Sequence, residues 1–144
     1  MATTTLTNNF RRDVLNGVIN LSADQLQMAL YNGSGHNANT GAYTVTNEAS
    51  GTGYTAKGVT MSGAVQATDT TNNVSHYDWT INPTWAASTI TATDCLLFDE
   101  DVTSPTGDVS IYVGDFNGSK SSSSGTFEII LPAANYNTSL VRLA

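Results

Sequence analysis

Asp108-Val109-Ser110-Ile111-Tyr112-Val113-Gly114-Asp115-Phe116 places Val109, Ile111 and Val113 on one side of an extended chain and Ser110 and Tyr112 on the other. That two-residue period is the signature of a β-strand with one buried face. The same period recurs on both sides of it. Upstream, Tyr77, Trp79 and Ile81 alternate with His76 and Asp78, and Leu26, Met28 and Leu30 alternate with Gln25, Gln27 and Ala29. Residues 59–68 read as a strand interrupted at Gly63, where a bulge is expected, and residues 89–98 as one whose apolar phase shifts around Asp94. Residues 126–131 and 140–143 supply the last two. About seven strands joined by turns, with no helical crossovers between them, predict an all-β fold, a single antiparallel β-sandwich.

One helix is expected. Thr7 or Asn8 can cap it, Phe10 and Val14 lie four apart on one face, and Gly17 can close its C-terminus. The organisation is therefore an N-terminal arm with a short helix over residues 1–22, followed by a β-sandwich over residues 23–144. Turns are expected at Asn82-Pro83-Thr84-Trp85 and from Asn117-Gly118, which starts a flexible loop through Ser121–Ser124. Thr46 or Asn47 is expected to cap a short helical turn ahead of Gly51.

Composition narrows the function. The 144 residues suit one domain, and only 12% are charged, about half the usual share. Thr, Ser and Asn make up roughly a third of the chain, a balance that favours strands and turns. The net charge of −7, with Arg11, Arg12, Lys57, Lys120 and Arg142 as the only cations, disfavours a nucleic-acid partner or an anionic membrane surface. No apolar run approaches the roughly 20 residues that span a bilayer. The first residues lack a basic segment followed by an apolar one, so a cytoplasmic start is expected. The Asn-x-Ser/Thr matches at Asn32, Asn73, Asn117 and Asn137 are then chance.

Residues 42–59 hold Gly51, Gly53 and Gly58 with Tyr43 and Tyr54. Gly-Thr-Gly lacks the spacing of a dinucleotide fingerprint, and Lys57 is followed by Gly58 rather than by the Ser or Thr of a P-loop. A packed structural loop is expected. Cys95, the single cysteine, reads as a buried strand thiol, and no cysteine cluster exists for zinc. His36 and His76 stand apart and read as surface histidines. Asp99-Glu100-Asp101, with Asp108 and Asp115 after it, lacks the spacing and central glycine of an EF-hand and reads as a solvated loop guarding a sheet edge. Neither a metal nor a cofactor is expected. Of the aromatic residues, Trp85 in its turn is the freest to touch a ligand such as a glycan.

Several segments together resemble a group of small tailed-bacteriophage virion proteins. They are Phe10-Arg11-Arg12-Asp13-Val14-Leu15-Asn16-Gly17, Met28-Ala29-Leu30-Tyr31, Thr46-Asn47-Glu48-Ala49-Ser50-Gly51-Thr52-Gly53-Tyr54-Thr55-Ala56-Lys57-Gly58-Val59, Pro83-Thr84-Trp85 with Ile90-Thr91-Ala92, and Gly125-Thr126-Phe127. The resemblance implies a non-enzymatic structural part of the virion, made in the host bacterial cytoplasm. The preferred member of that class is a capsid decoration, or cement, protein that binds the major capsid protein shell. A homo-oligomer is implied, and a trimer suits an icosahedral lattice. The alternative is a tail, connector or head-fibre component, including a glycan-binding adhesin module. Leu6, Phe10, Arg11, Arg12, Tyr43, Tyr54 and Trp85 are the candidate interface residues.

Overall fold

The computed structural model describes residues 1–144, and the alternating stretch around Ile111 forms the first half of the longest strand in it. In chain order the elements are β1 (Thr5–Leu6), α1 (Asn8–Leu15), β2 (Leu26–Tyr31), β3 (Val59–Thr60), β4 (Ala64–Asp69), β5 (Val74–Trp79), β6 (Thr84–Ser88), β7 (Thr91–Asp99), β8 (Val109–Ser121), β9 (Gly125–Glu128) and β10 (Val141–Leu143). Every strand pairing is antiparallel. A five-stranded sheet runs β1-β8-β7-β2-β3, a three-stranded sheet β10-β5-β4, and a two-stranded sheet β6-β9. The result is the expected all-β, sandwich-like arrangement with one short helix.

The five-stranded sheet is buried on both faces at its centre. All six residues of β2 are buried, which the alternation of Gln25, Gln27 and Ala29 with Leu26, Met28 and Leu30 does not announce. On one face Leu26, Met28, Leu30, Cys95, Leu97, Val109 and Ile111 join a core with Trp79, Trp85 and Phe127 from the smaller sheets and Phe10 from α1. On the other face Ala29, Tyr31, Leu96, Phe98 and Val113 form a second core, closed by Ala2 and Tyr43. That cover comes from the arm and from residues 32–48, so a strand flanked by loops ends up as buried as one flanked by sheets.

Ten strands replace the expected seven for local reasons. Gly63, at φ +72, separates β3 from β4, and a Cβ there would stand 2.6 Å from Thr80 Oγ1. The arm contributes β1, with Thr5 opposite Val113 and Leu6 opposite Tyr112. Of the expected turn at residues 82–85 only Asn82 and Pro83 lie outside a strand; the chain reverses over residues 80–83, and Thr84 and Trp85 open β6. Asn117-Gly118 does not start a loop: the two residues form an irregularity inside β8, where Ala92 pairs with Lys120 but Asp94 with Asp115, and the chain turns later, at Ser122–Ser124. The phase shift expected near Asp94 is that same irregularity seen from β7. Asn47, at φ +62, belongs to a tight turn that Glu48 closes by bridging to Tyr31, and no helical turn forms there.

The helix follows its sequence signals. Thr7 caps it, its hydroxyl accepting from the Phe10 N–H at 3.3 Å. At the other end Gly17, at φ +68, sends its N–H to Val14 O while the Val18 N–H reaches Asp13 O, the paired bonds of a Schellman stop.

Candidate functional site

The glycine and tyrosine segment is organised around Glu48, the sole carboxylate between Asp24 and Asp69. Its Oε2 accepts the Tyr43 hydroxyl at 2.6 Å, and its Oε1 accepts the Tyr54 hydroxyl at 2.8 Å and the Lys57 N–H at 2.6 Å. Tyr54 in turn accepts the Leu30 N–H from β2 at 3.1 Å. Burial pushes both tyrosine hydroxyls above their ordinary range, and the bond to the Glu48 carboxylate adds to it, so both stay protonated donors. Gly58 runs against β2 and Gly51 against Thr89, too close for any side chain. The loop is thus tied by carboxylate, backbone and close approach to three parts of the fold.

Lys57 carries the loop's outward link. Its ammonium lies 2.9 Å from Glu100 and 3.2 Å from Asp108, and 5.7 Å from the centre of the Tyr43 ring. The bond to Glu100 holds Lys57 above its usual range, while bonds from Gln27 and then Lys57 hold Glu100 below its own.

The acidic run departs from the solvated loop expected of it. Glu100 is engaged as above and Asp101 accepts the Gln25 N–H at 2.7 Å, but Asp99 is fully buried. Its Oδ1 accepts the N–H groups of Asp101 and Val102, whereas its Oδ2 has no hydrogen-bond donor. Burial, reinforced by the neighbouring Asp24 carboxyl, pushes Asp99 up to about 7. An acid with a raised folded-state value keeps its proton in the fold and loses it in the unfolded chain from about pH 4 upward. Its stabilising contribution is therefore complete below pH 4 and declines as the pH rises through 7. Asp99→Asn reproduces the protonated form, so it should gain on the order of 1–2 kcal/mol over the parent at pH 8.5 and nothing at pH 4. Urea melts of both proteins at the two pH values measure this, and an equal change at both would refute the assignment.

Three serine, histidine and aspartate side chains do meet, at the end of β2. His36 is buried rather than on the surface, with its Nδ1 3.3 Å from Asp94 Oδ2 and its ring edge-on to Tyr31 at 4.4 Å. Ser34 donates to the same Asp94 oxygen, and Thr93 donates to the other at 2.7 Å. Burial works to raise Asp94, but the adjacent His36 imidazole and the hydroxyl donors Ser34 and Thr93 outweigh it and hold the carboxyl below its usual range. The carboxylate stands between the hydroxyl and the imidazole, so the Ser34 proton is held by Asp94 and no base addresses Ser34 Oγ, the reverse of the nucleophilic order. The cluster pins residues 33–37 over the second core, and Thr3 donates its N–H to His36 O at 2.9 Å to fasten the arm there. His76 is half-buried against Ser139 Oγ at 3.1 Å. Cys95 is the buried strand thiol expected, its pKa raised to about 12 by burial.

The seven candidate interface residues scatter. Phe10 is wholly buried in the main core, and Trp85 is 3% exposed between Tyr54 and Phe127, with ring centres 6.1 and 6.0 Å away. Neither lies on a surface, because a turn assigned to Trp85 is a strand and a helix assigned to the arm packs inward. Arg12 is spent on Asp13 in a two-pronged pair at 2.6 and 2.9 Å. Tyr43 stacks on Phe98 at 4.8 Å, and with Tyr54 it serves Glu48. Tyr43, Tyr54 and Trp85 meet only inside the packed loop, whereas Leu6 and Arg11 come together in a groove of about 590 Å³ between the arm and the C-terminal segment, shared with Tyr112, Tyr136, Leu140 and Arg142. Sequence reasoning missed Arg142 and Tyr136, which a 130-residue separation from the arm conceals. It also missed Glu48, whose signal was its isolation between two tyrosines.

No His, Cys, Asp and Glu side chains group in threes able to hold a metal ion, and no helix is long and apolar enough to cross a membrane. No protein-family model, no curated protein and no solved structure matches the chain.

Proposed function

We propose that the chain is a non-enzymatic structural protein of a bacteriophage virion, a capsid decoration protein that binds the major capsid protein shell and stabilises it. The observation that carries this reading is the use made of residues 46–59, the longest stretch of the resemblance. Glu48, Gly51, Tyr54, Lys57 and Gly58 are all engaged in holding a surface loop against β2 and Thr89. Such a segment maintains a rigid outer shape, which is what a repeated shell contact demands. The docking face in this reading is the groove between arm and C-terminal segment. Arg11 and Arg142, two of the five cations, line it beside Leu6 and Tyr136, the latter 42% exposed. The glycan-binding alternative loses its freest aromatic residue with Trp85 in the core.

Quantitative mass spectrometry of particles tests the reading, since a decoration protein is present in hundreds of copies and a tail or connector part in a dozen or fewer. Added back to expanded shells, the chain should bind at one fixed stoichiometry, and Arg11→Glu with Arg142→Glu should weaken that binding at least about tenfold. A low copy number, or binding indifferent to both substitutions, overturns respectively the decoration role and the face.

A further inference from the structure

The three-stranded sheet ends on one side in β4, and nothing in the fold covers that edge. No side chain or loop hydrogen-bonds the main chain of residues 64–68 from the far side of β5. Strand edges usually carry a guard: shortness, a bulge, a proline or a lysine. The other edges here have one. β1 and β3 are two residues long, β10 is three and carries Arg142, β9 is four and ends in Glu128, β6 and β9 shift register between Trp85 and Ser88, and the part of β8 beyond β1 carries Asp115 and Lys120. β4 is six residues, regularly paired with β5 from Ala64 opposite Trp79 to Asp69 opposite Val74, and Ala64-Val65-Gln66-Ala67-Thr68 has no charge and no proline.

β4 also overhangs the core. Gln66 lies opposite Tyr77, and Ala64 opposite Trp79, so they share a sheet face with two buried aromatic residues, yet both are exposed. Beneath this overhang runs a groove of about 430 Å³, with Val14 of α1, Leu21 and Leu143 in its walls; Leu143 is 49% exposed.

We infer that β4 is a self-association edge, pairing antiparallel with β4 of a second copy about a two-fold axis to make one continuous six-stranded sheet. The charge pattern selects the occupant. At −7 the chain repels a copy of itself across most of its surface, whereas this edge brings two neutral segments together. The segment is complementary to itself: with the axis through the Gln66 pair, Val65 meets Ala67 and Ala64 meets Thr68, so no two like charges are opposed. The pairing leaves the arm groove free and does not depend on the virion reading.

Sedimentation equilibrium of the full chain from 5 to 500 µM tests this. The parent should be a dimer at the upper end, and amide hydrogen exchange at residues 64–68 should slow as concentration rises. The double substitution Gln66→Lys with Ala67→Lys sets a lysine against its own copy at position 66 and adds two more one residue from the axis, and should weaken dimerisation at least about tenfold. Ser119→Lys with Ser123→Lys, the same charge change in the exposed β8–β9 hairpin, should leave it intact. A parent that stays monomeric or forms trimers, concentration-independent exchange at residues 64–68, or a dimer equally strong with lysines at 66 and 67 each overturns the inference.

Discussion

Gly58→Ala is expected to leave little folded protein. The backbone at Gly58 has φ +77, and a Cβ built there stands 1.8 Å from Met28 O and 2.7 Å from its carbonyl carbon. Neither side can give. Met28 is held in β2 between Val59 of β3 and Leu97 of β7, and Gly58 is held by its N–H to Thr55 O and by the adjoining Lys57 N–H on Glu48. Relieving the overlap means parting β2 from the loop, which disconnects Tyr54 and Glu48 as well. A loss above about 4 kcal/mol is expected, out of the roughly 5–15 kcal/mol that keeps a domain of this size folded. Gly118→Ala is the control: φ is +115 but no atom lies within 4 Å of the added carbon, so backbone strain alone costs about 1–2 kcal/mol. Thermal melts of the two variants separate steric overlap from strain. A Gly58→Ala midpoint within a few degrees of the parent would show that the loop is not seated against β2 as described.

Phe10→Ala should cost about 3–5 kcal/mol, the range for emptying a buried aromatic site. The side chain has no exposure and belongs to the same core as Met28, Leu97 and Ile111. Its neighbour Arg11 is exposed, its guanidinium bonded only to Asn8 at 3.1 Å, and Arg11→Ala should change stability by no more than about 0.5 kcal/mol. Urea unfolding of the pair measures both. The contrast matters for function, because deleting residues 2–12 removes a piece of the core along with the arm and reports on folding rather than docking. A Phe10→Ala protein as stable as the parent would return Phe10 to the surface.

The fold class was legible because alternation is a local property. Val109 and Ile111, or Tyr77 and Trp79, reach the core from any antiparallel arrangement that buries one face of their strand, whereas the register shift opposite Leu97 and Phe98 turns Val113 into the other core. The helix was legible for the same reason: Thr7, Phe10, Val14 and Gly17 act within a few residues of one another. Errors arose where a residue's environment is supplied from far along the chain. Trp85 looks free beside Pro83, but Phe127 and Tyr54 close over it. His36 sits among asparagines and glycines, but Asp94 and Tyr31 enclose it. Asp99 stands in an acidic run, but its neighbour across the fold is Asp24.

From residue order alone follow the antiparallel all-β class, the capped helix, the buried thiol at Cys95 and the exclusion of a phosphate cradle at residues 51–58, since each rests on periodicity or on spacing within one segment. The three-sheet order, the burial of both faces of β2, the recruitment of Glu48 as the hub of its loop, the groove joining Leu6 and Arg11 to Arg142, and the bare edge at β4 came only from the folded chain. Each depends on which distant segments are brought together, and periodicity along one strand carries no information about what lies across the sheet from it.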